Sequence, residues 1–286
     1  MAKPNLFIVG APRCGTGSLW AYLKGHPEIF MSAKKELYFF DCDLQGNGGM
    51  STEEYLRHFA VASDHKKIGE ASPSYLRSRC APQSIKAFSP GAQIIIMLRN
   101  PVDVLHSLHS KALYGSEPIL DFAVALEADV TRTGRDMIGY REFIDFPEQV
   151  QRYFDRFGRE NVHTIIYDDL ETNSKAVGQN TLRFLGVRQD IALEFPWVNS
   201  NEEIRIPYLE KILCHPPLNL QRVVRSLIPR QLRPRIQHRL SRLNATVRPR
   251  APIDPALRMR LQAEFEPKVD HLSNLLGRDL SGWYKD

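Results

Sequence analysis

The residues with most chemistry in them stand together in the run Gly10-Ala11-Pro12-Arg13-Cys14-Gly15-Thr16-Gly17-Ser18. Gly10 and Gly15 frame a Gly-x-x-x-x-Gly loop of the kind that wraps a phosphate. The Lys-Ser/Thr pair that follows the second glycine in nucleoside triphosphatases is replaced by Thr16-Gly17, so the frame is present without the triphosphate chemistry. The single cation, Arg13, lies inside the turn, within reach of the outer oxygens of a bound group or of the bridge between two groups. Such a site suits one phosphate carrying one transferable group. Cys14 raises a second possibility, because a thiol beside Arg13 at a helix N-terminus is placed for thiolate formation. A phosphatase of the Cys-x-x-x-x-x-Arg type needs arginine where Trp20 stands, which weighs against a cysteine nucleophile.

An anion loop needs a strand to leave and a helix to enter. Leu6-Phe7-Ile8-Val9 reads as a buried strand and Gly17 to Lys24 as the opening of a helix, which aims backbone N–H groups and the positive end of a helix dipole at the loop. Gln93 to Leu98 is apolar and β-branched, predicting a central parallel strand that stops at Arg99, on the carboxyl side where open α/β sheets bind ligands. Pro101 starts the next helix, with Ser107 two turns into it. Lys67 to Glu70 and Val162 to Tyr167 read as further strands. Pro82 to Phe88, Pro147 to Phe157 and Ser174 to Leu185 read as helices, and Ser51-Thr52-Glu53-Glu54 caps another running to about Phe59. His26 to Lys34 reads as loop, and Lys35 to Asp41 as a short extended or aromatic-anchored segment with Tyr38, Phe39 and Phe40 as core anchors. Alternating strands and helices predict an α/β fold, a P-loop-type central parallel sheet flanked by helices.

A chain of 286 residues can hold one such core, so a single domain over residues 1–286 is expected. Met1-Ala2-Lys3-Pro4 leads straight into the first strand and no apolar run is long enough for a membrane span, so the expected location is cytoplasmic. Cys14, Cys42, Cys80 and Cys214 are scattered, which predicts neither a zinc site nor a disulfide framework. Asp103, His106 and His109 share a helical face but read as polar surface, and no metal is expected. From Lys211 to Ile253 there is no Asp or Glu, while arginine recurs at 222, 225, 230, 233, 235, 239, 242, 248 and 250, which explains most of the net charge of +5. Apolar residues at helical spacing there predict a basic helical segment over about 205–250, one face packed and the other suited to an acidic acceptor or an anionic membrane leaflet. Aromatic residues do not interleave with the arginines, so no nucleic-acid partner is expected. A last helix, about 256–276 with a kink at Pro267, completes a mainly helical C-terminal part.

Several further segments extend the pattern in order: His26-Pro27, Lys35-Glu36-Leu37-Tyr38-Phe39-Phe40-Asp41, Gly69-Glu70-Ala71-Ser72-Pro73-Ser74-Tyr75-Leu76, Arg99-Asn100-Pro101-Val102-Asp103, and Leu275-Leu276-Gly277-Arg278-Asp279-Leu280 through Trp283. With Pro12 to Leu19 they resemble the sulfotransferases that use 3′-phosphoadenosine 5′-phosphosulfate (PAPS), in the branch of heparan-sulfate-type and bacterial carbohydrate enzymes. The family loop is usually Pro-Lys-Ser/Cys-Gly-Thr-Thr-Ser-Leu.

The resemblance implies that the amides of Cys14, Gly15, Thr16, Gly17 and Ser18, with the hydroxyls of Thr16 and Ser18, hold the 5′-phosphosulfate. It puts Arg13 in the place of the lysine that stabilises the departing bridge. Arg99 and Ser107, eight residues apart, fall where the family holds the 3′-phosphate, and Arg205 lies where relatives close a loop over the donor. Glu36 takes the position of the general base, with Lys34 and Lys35 beside it to weaken its basicity or to orient an anionic acceptor. The implied acceptor is a hydroxyl of a carbohydrate, glycolipid or small metabolite. Ala71 and Val104 replace the lysine and arginine common in heparan-type enzymes, so acceptor recognition does not carry over. The competing readings are a P-loop kinase using ATP and magnesium, with Asp168 holding the metal, and a non-catalytic binding protein acting through the arginine-rich segment.

Overall fold

Leu6–Gly10 forms strand β1, and all five of its residues are buried, as an apolar strand with a parallel neighbour on each side requires. The structure, a computed structural model, describes residues 2–45, 50–62, 64–113, 117, 119–129, 139–191, 194–195, 202–204, 245–247 and 252–285. Two compact units divide the chain. The first comprises Met1–Leu105, Arg141–Val198 and Arg258–Asp286, and the second His106–Tyr140 and Asn199–Leu257.

In the first unit, β1 is followed by α1 (Thr16–Lys24), β2 (Ile29–Met31), α2 (Cys42–Gln45), α3 (Thr52–Arg57), β3 (Lys67–Ala71), α4 (Ala81–Phe88) and β4 (Gln93–Leu98). The sheet runs β2-β3-β1-β4 and ends at β5 (Val162–Ile166), every neighbouring pair parallel. Leu6 faces Gly69 on one side and Gln93 on the other. Parallel neighbours need crossovers, and helices supply them: α1 packs on β1, β2 and β3, while α7 (Phe146–Phe157) and α8 (Tyr167–Leu185) pack on β4 and β5. The predicted α/β sheet flanked by helices is what forms, with the four expected strands present. The three-residue β2 lies where the sequence reads as loop, and α8 begins before the predicted Ser174. Asn173, with φ −148° and ψ 71°, breaks α8 at that point, and its side chain accepts the Ala176 N–H at 3.0 Å to start the second half.

Ser51 caps α3 as its sequence predicts, accepting from the Glu54 N–H while the Glu54 carboxylate accepts from the Ser51 N–H. A helix spanning Pro255–Leu276, here α9, contains Pro267 and buries Leu261, Phe265, Val269 and Leu272 at helical spacing. The turn Ser281–Trp283 follows. Its Trp283 indole donates to Asp168 at 2.7 Å, and its carbonyl accepts from the Asn100 amide at 2.9 Å.

The second unit holds α6 (Phe122–Asp129) and an antiparallel pair, β6 (Glu202–Ile204) with β7 (Ala245–Val247). The buried Glu117 carboxylate accepts from the Tyr140 hydroxyl at 2.9 Å and the Ile119 N–H at 3.0 Å. Ala245–Val247, inside the segment expected to be helical, is strand instead. Arg205 and nearly all of that basic segment lie outside the described residues. Among the described residues no helix is long and apolar enough to cross a membrane.

Gly10 ends β1 against Leu76, and a β-carbon built there would lie 2.3 Å from Leu76 Cβ. Gly10→Ala is therefore expected to cost about 2 kcal/mol or more through overpacking. The check is a lower urea midpoint at unchanged slope; an unaltered midpoint would show that Leu76 yields without cost.

Candidate active site

Two backbone constraints shape the loop between β1 and α1. The Ala11 N–H donates to the Met97 carbonyl at 2.7 Å, which ties the loop to β4, and Arg13 and Gly15 both take left-handed φ values, 66° and 89°. Gly15 is doubly required, because a β-carbon there would also press the Tyr167 ring at 3.1 Å and Met97 Cε at 3.2 Å. It stands at the N-cap of α1 with no side-chain cap. The Leu19 N–H donates to the Gly15 carbonyl at 3.1 Å, and amides earlier in a helix have no carbonyl one turn back. No acidic residue occupies the first turn of α1. The predicted anion-binding geometry, a strand, a tight loop and a helix N-terminus, is thus in place.

A second strand of chain supplies charge to the same place. Lys35 points its ammonium at Thr16 Oγ1, 3.4 Å away, and at Glu36 Oε1, also 3.4 Å away. Burial, and after it the nearby Arg13 charge, lowers the Lys35 pKa, while Glu36 opposes the shift. Arg13, the helix end and Lys35 therefore converge beside the Glu36 carboxylate, an arrangement suited to a bound anion. The structure brings Arg13, Thr16, Lys35 and Glu36 together as a group; the sequence pointed to Lys35 only as a neighbour of the base.

Glu36 and Tyr38 sit at φ 64° and 55°, left-handed conformations that need outside support in residues with a β-carbon. The support is a hydrogen-bond scaffold. The Glu36 N–H donates to the Ala71 carbonyl at 2.9 Å. The Leu37 and Tyr38 N–H groups donate to Ser72 Oγ at 3.0 and 3.4 Å, and those of Phe39 and Phe40 to the Tyr75 hydroxyl at 2.9 and 3.4 Å. Both hydroxyls donate in turn to one fully buried carboxylate, Glu70, at 2.9 and 3.1 Å, and Tyr55 adds a third at 2.7 Å. Burial pushes the Glu70 pKa up to about 7 against the three hydroxyls, which pull it down. Ser72, Tyr75 and Glu70 lie within the Gly69 to Leu76 run, but nothing in their order shows that they hold a segment some thirty-five residues earlier.

Of the three aromatics expected as core anchors, Phe39 stacks on Tyr55 at 4.2 Å and Phe40 meets Phe7 edge-on at 5.8 Å. Tyr38 is different. Its hydroxyl donates to Glu36 Oε2, and burial first, with Glu36 next, raises its pKa. It is half-buried beside Glu36, where the sequence reading expected a core anchor.

The cysteine alternative is closed by magnitude. Arg99 and Arg13 both favour a Cys14 thiolate, yet complete burial outweighs them and pushes the thiol up to about 12. Arg99 follows β4 with its guanidinium carbon 4.3 Å over the Tyr167 ring. Ser107 is buried in the helix Pro101–Ala112, here α5, and belongs to the second unit. The face of Asp103, His106 and His109 expected as polar surface is not all surface: His109 is buried with its ring bonded to the Ile119 carbonyl at 2.9 Å, while Asp103 pairs with Arg258 at 2.6 Å. Asp168, the metal holder of the kinase reading, is held by Trp283, and Asp169 pairs with Arg278.

A family model described as the sulfotransferase domain matches residues 3–203. The chain is 33% identical over 106 residues to the membrane-associated sulfotransferase kil1 of Dictyostelium discoideum, covering 36% of this chain and 22% of that one. It is 34% identical over 100 residues to heparan sulfate glucosamine 3-O-sulfotransferase 6 of Homo sapiens, covering 35% and 28%. The chain thus spans about a quarter of the length of these curated relatives. A crystal structure of a sulfotransferase from Alicyclobacillus acidocaldarius superposes over 100% of both chains with a TM-score of 0.76 and 28% identity.

Because Glu70 keeps its proton to about pH 7 when folded and only to about 4.5 when unfolded, its neutral form stabilises the fold below pH 4.5 and that contribution is lost as pH rises to 7. The loss is about 3 kcal/mol. Glu70→Gln removes this one component, so the gap between wild-type and variant stability in urea titrations is expected to change by that order between pH 4.5 and 7.5. A gap that stays constant would place the Glu70 titration elsewhere.

Proposed function

The chain belongs to the sulfotransferase family, and from that premise we propose that it moves a sulfuryl group from PAPS to a hydroxyl of a carbohydrate, glycolipid or small metabolite. The observation that carries the reading is the convergence of Arg13, Lys35 and the N-terminus of α1 on one spot, with Glu36 joined to it through Lys35. The donor's 5′-phosphosulfate would lie on the amides of Cys14 to Ser18, with the Thr16 and Ser18 hydroxyls beside it. The names of relatives that act on heparan sulfate glucosamine and other carbohydrates support a sugar hydroxyl as acceptor.

The acceptor oxygen forms a bond to sulfur while the bond from sulfur to the bridging oxygen breaks, leaving a sulfate ester and 3′,5′-bisphosphoadenosine (PAP). Glu36 takes the hydroxyl proton, held in position by its Tyr38 and Lys35 contacts. Arg13 and Lys35 stabilise the charge that grows on the departing phosphate, Arg13 in the role that family lysines fill. Arg99 and Ser107 are assigned to the 3′-phosphate, and Arg205 to a further donor contact, on the family resemblance alone. A kinase would need an aspartate for its metal, and Trp283 holds Asp168 in that place.

Titration calorimetry with PAP and with ATP plus magnesium tests the donor, and PAP is expected to bind the tighter. Preference for ATP would favour a kinase. Arg13→Ala and Glu36→Gln are expected to lower kcat about 10²-fold or more with unchanged melting. Arg99→Ala is expected to act mainly on donor affinity, about tenfold or more. Full activity in Glu36→Gln would assign the base to another residue.

A further inference from the structure

The positions of Cys42 and Cys80 in the sequence give no hint of a pair, yet the fold sets their sulfurs 2.7 Å apart. The segment that leaves Phe40 turns into α2 beside the entry to α4, so two cysteines thirty-eight positions apart meet. The expectation of no disulfide pairing rested on spacing, and spacing does not report this approach. Neither cysteine is buried: Cys42 is exposed and Cys80 half-buried. Asp43 fixes the surroundings. Its carboxylate accepts from Ser78 Oγ at 2.5 Å and from the Arg79 N–H at 2.7 Å, which holds the residues before Cys80 against the start of α2. The Cys80 thiol lies 3.1 Å from Asp43 Oδ1 and 3.3 Å from the Phe40 carbonyl.

Cys42, Asp43 and Cys80 together could also suggest a metal site. Two thiolates on one tetrahedral zinc stand about 3.8 Å apart, given Zn–S bonds of about 2.3 Å. Bonded sulfurs stand about 2.05 Å apart. The observed gap is closer to the second, and both oxygens of Asp43 already have donors.

We infer that Cys42 and Cys80 form a reversible intramolecular disulfide when the protein meets a peroxide. The exposed Cys42 sulfur attacks the O–O bond, becoming a sulfenic acid and releasing water from hydrogen peroxide. The Cys80 sulfur then attacks the Cys42 sulfur, the S–S bond forms, and the S–O bond breaks to release a second water. Two thiol sulfurs are each oxidised by one electron, and the peroxide takes both. Burial first, with the Cys42 and Asp43 contacts adding, raises the Cys80 thiol to about 11, which leaves the first attack to Cys42, while the resolving step rests on the 2.7 Å approach of the two sulfurs. The link pins the residue after Asp41, at the end of the segment that carries Glu36, to the start of α4. It stands independently of the donor and acceptor proposed above.

The test uses the whole chain, purified under reductant, treated with hydrogen peroxide at pH 8, alkylated and digested without reduction. Mass spectrometry is expected to find the Cys42 peptide joined to the Cys80 peptide, two mass units below their sum, and separated by dithiothreitol. Cys42→Ser removes the joined species. In Cys80→Ala the same treatment leaves Cys42 as a sulfenic acid that dimedone traps. Recovery of both cysteines alkylated, or each oxidised singly, overturns the inference. So does a link that forms faster in urea than in the native protein, or a zinc ion bound one per chain and lost in Cys42→Ser.

Discussion

A single buried carboxylate sets the direction of the hydrogen bonds around the proposed base. Glu70 when ionised can only accept, so the hydroxyls of Ser72, Tyr75 and Tyr55 must all turn their protons toward it. Two of those hydroxyls then present lone pairs the other way, where four consecutive backbone N–H groups of residues 37–40 find them. An apolar side chain in place of Glu70 would be cheaper to bury, but it would leave the hydroxyl orientations undetermined. In the ionised form, that orientation supports the left-handed turns at Glu36 and Tyr38. Glu36 thus faces Lys35 for a reason that begins in the core of the sheet.

Two outcomes in the site show how burial and proximity divide the work. At Cys14, two arginines favour a thiolate and full burial overrides both, so the thiol fills space in the loop. At Lys35, burial and Arg13 act in the same direction and one carboxylate only opposes them. Burial thus holds Cys14 as a thiol in a loop where Arg13 and the helix N-terminus favour an anion.

What the sequence made legible followed from local rules. The apolar run Gln93 to Leu98 and the Gly-x-x-x-x-Gly frame each report their own backbone, so β4, β1 and the anion loop could be read directly. β2 could not, because three residues carry too little pattern, and α8 looked shorter because Asn173 interrupts it. The side chains of Arg13 and Glu36 were singled out by type and by resemblance. The scaffold behind Glu36, the part that Tyr38 plays and the meeting of Cys42 with Cys80 depend on residues distant in sequence, and no periodicity encodes those distances.

The Trp283 turn has a consequence for how the chain is made. Asn100 leaves β4 and Asp168 opens α8, yet both find their partner at position 283. On the ribosome the sheet strands can pair as they emerge, but these two polar groups gain this partner only after residue 283 has been translated. Synthesis order and spatial order are opposed here: the ends of β4 and β5, more than a hundred positions earlier for Asp168 and still more for Asn100, are tied together through a turn made much later.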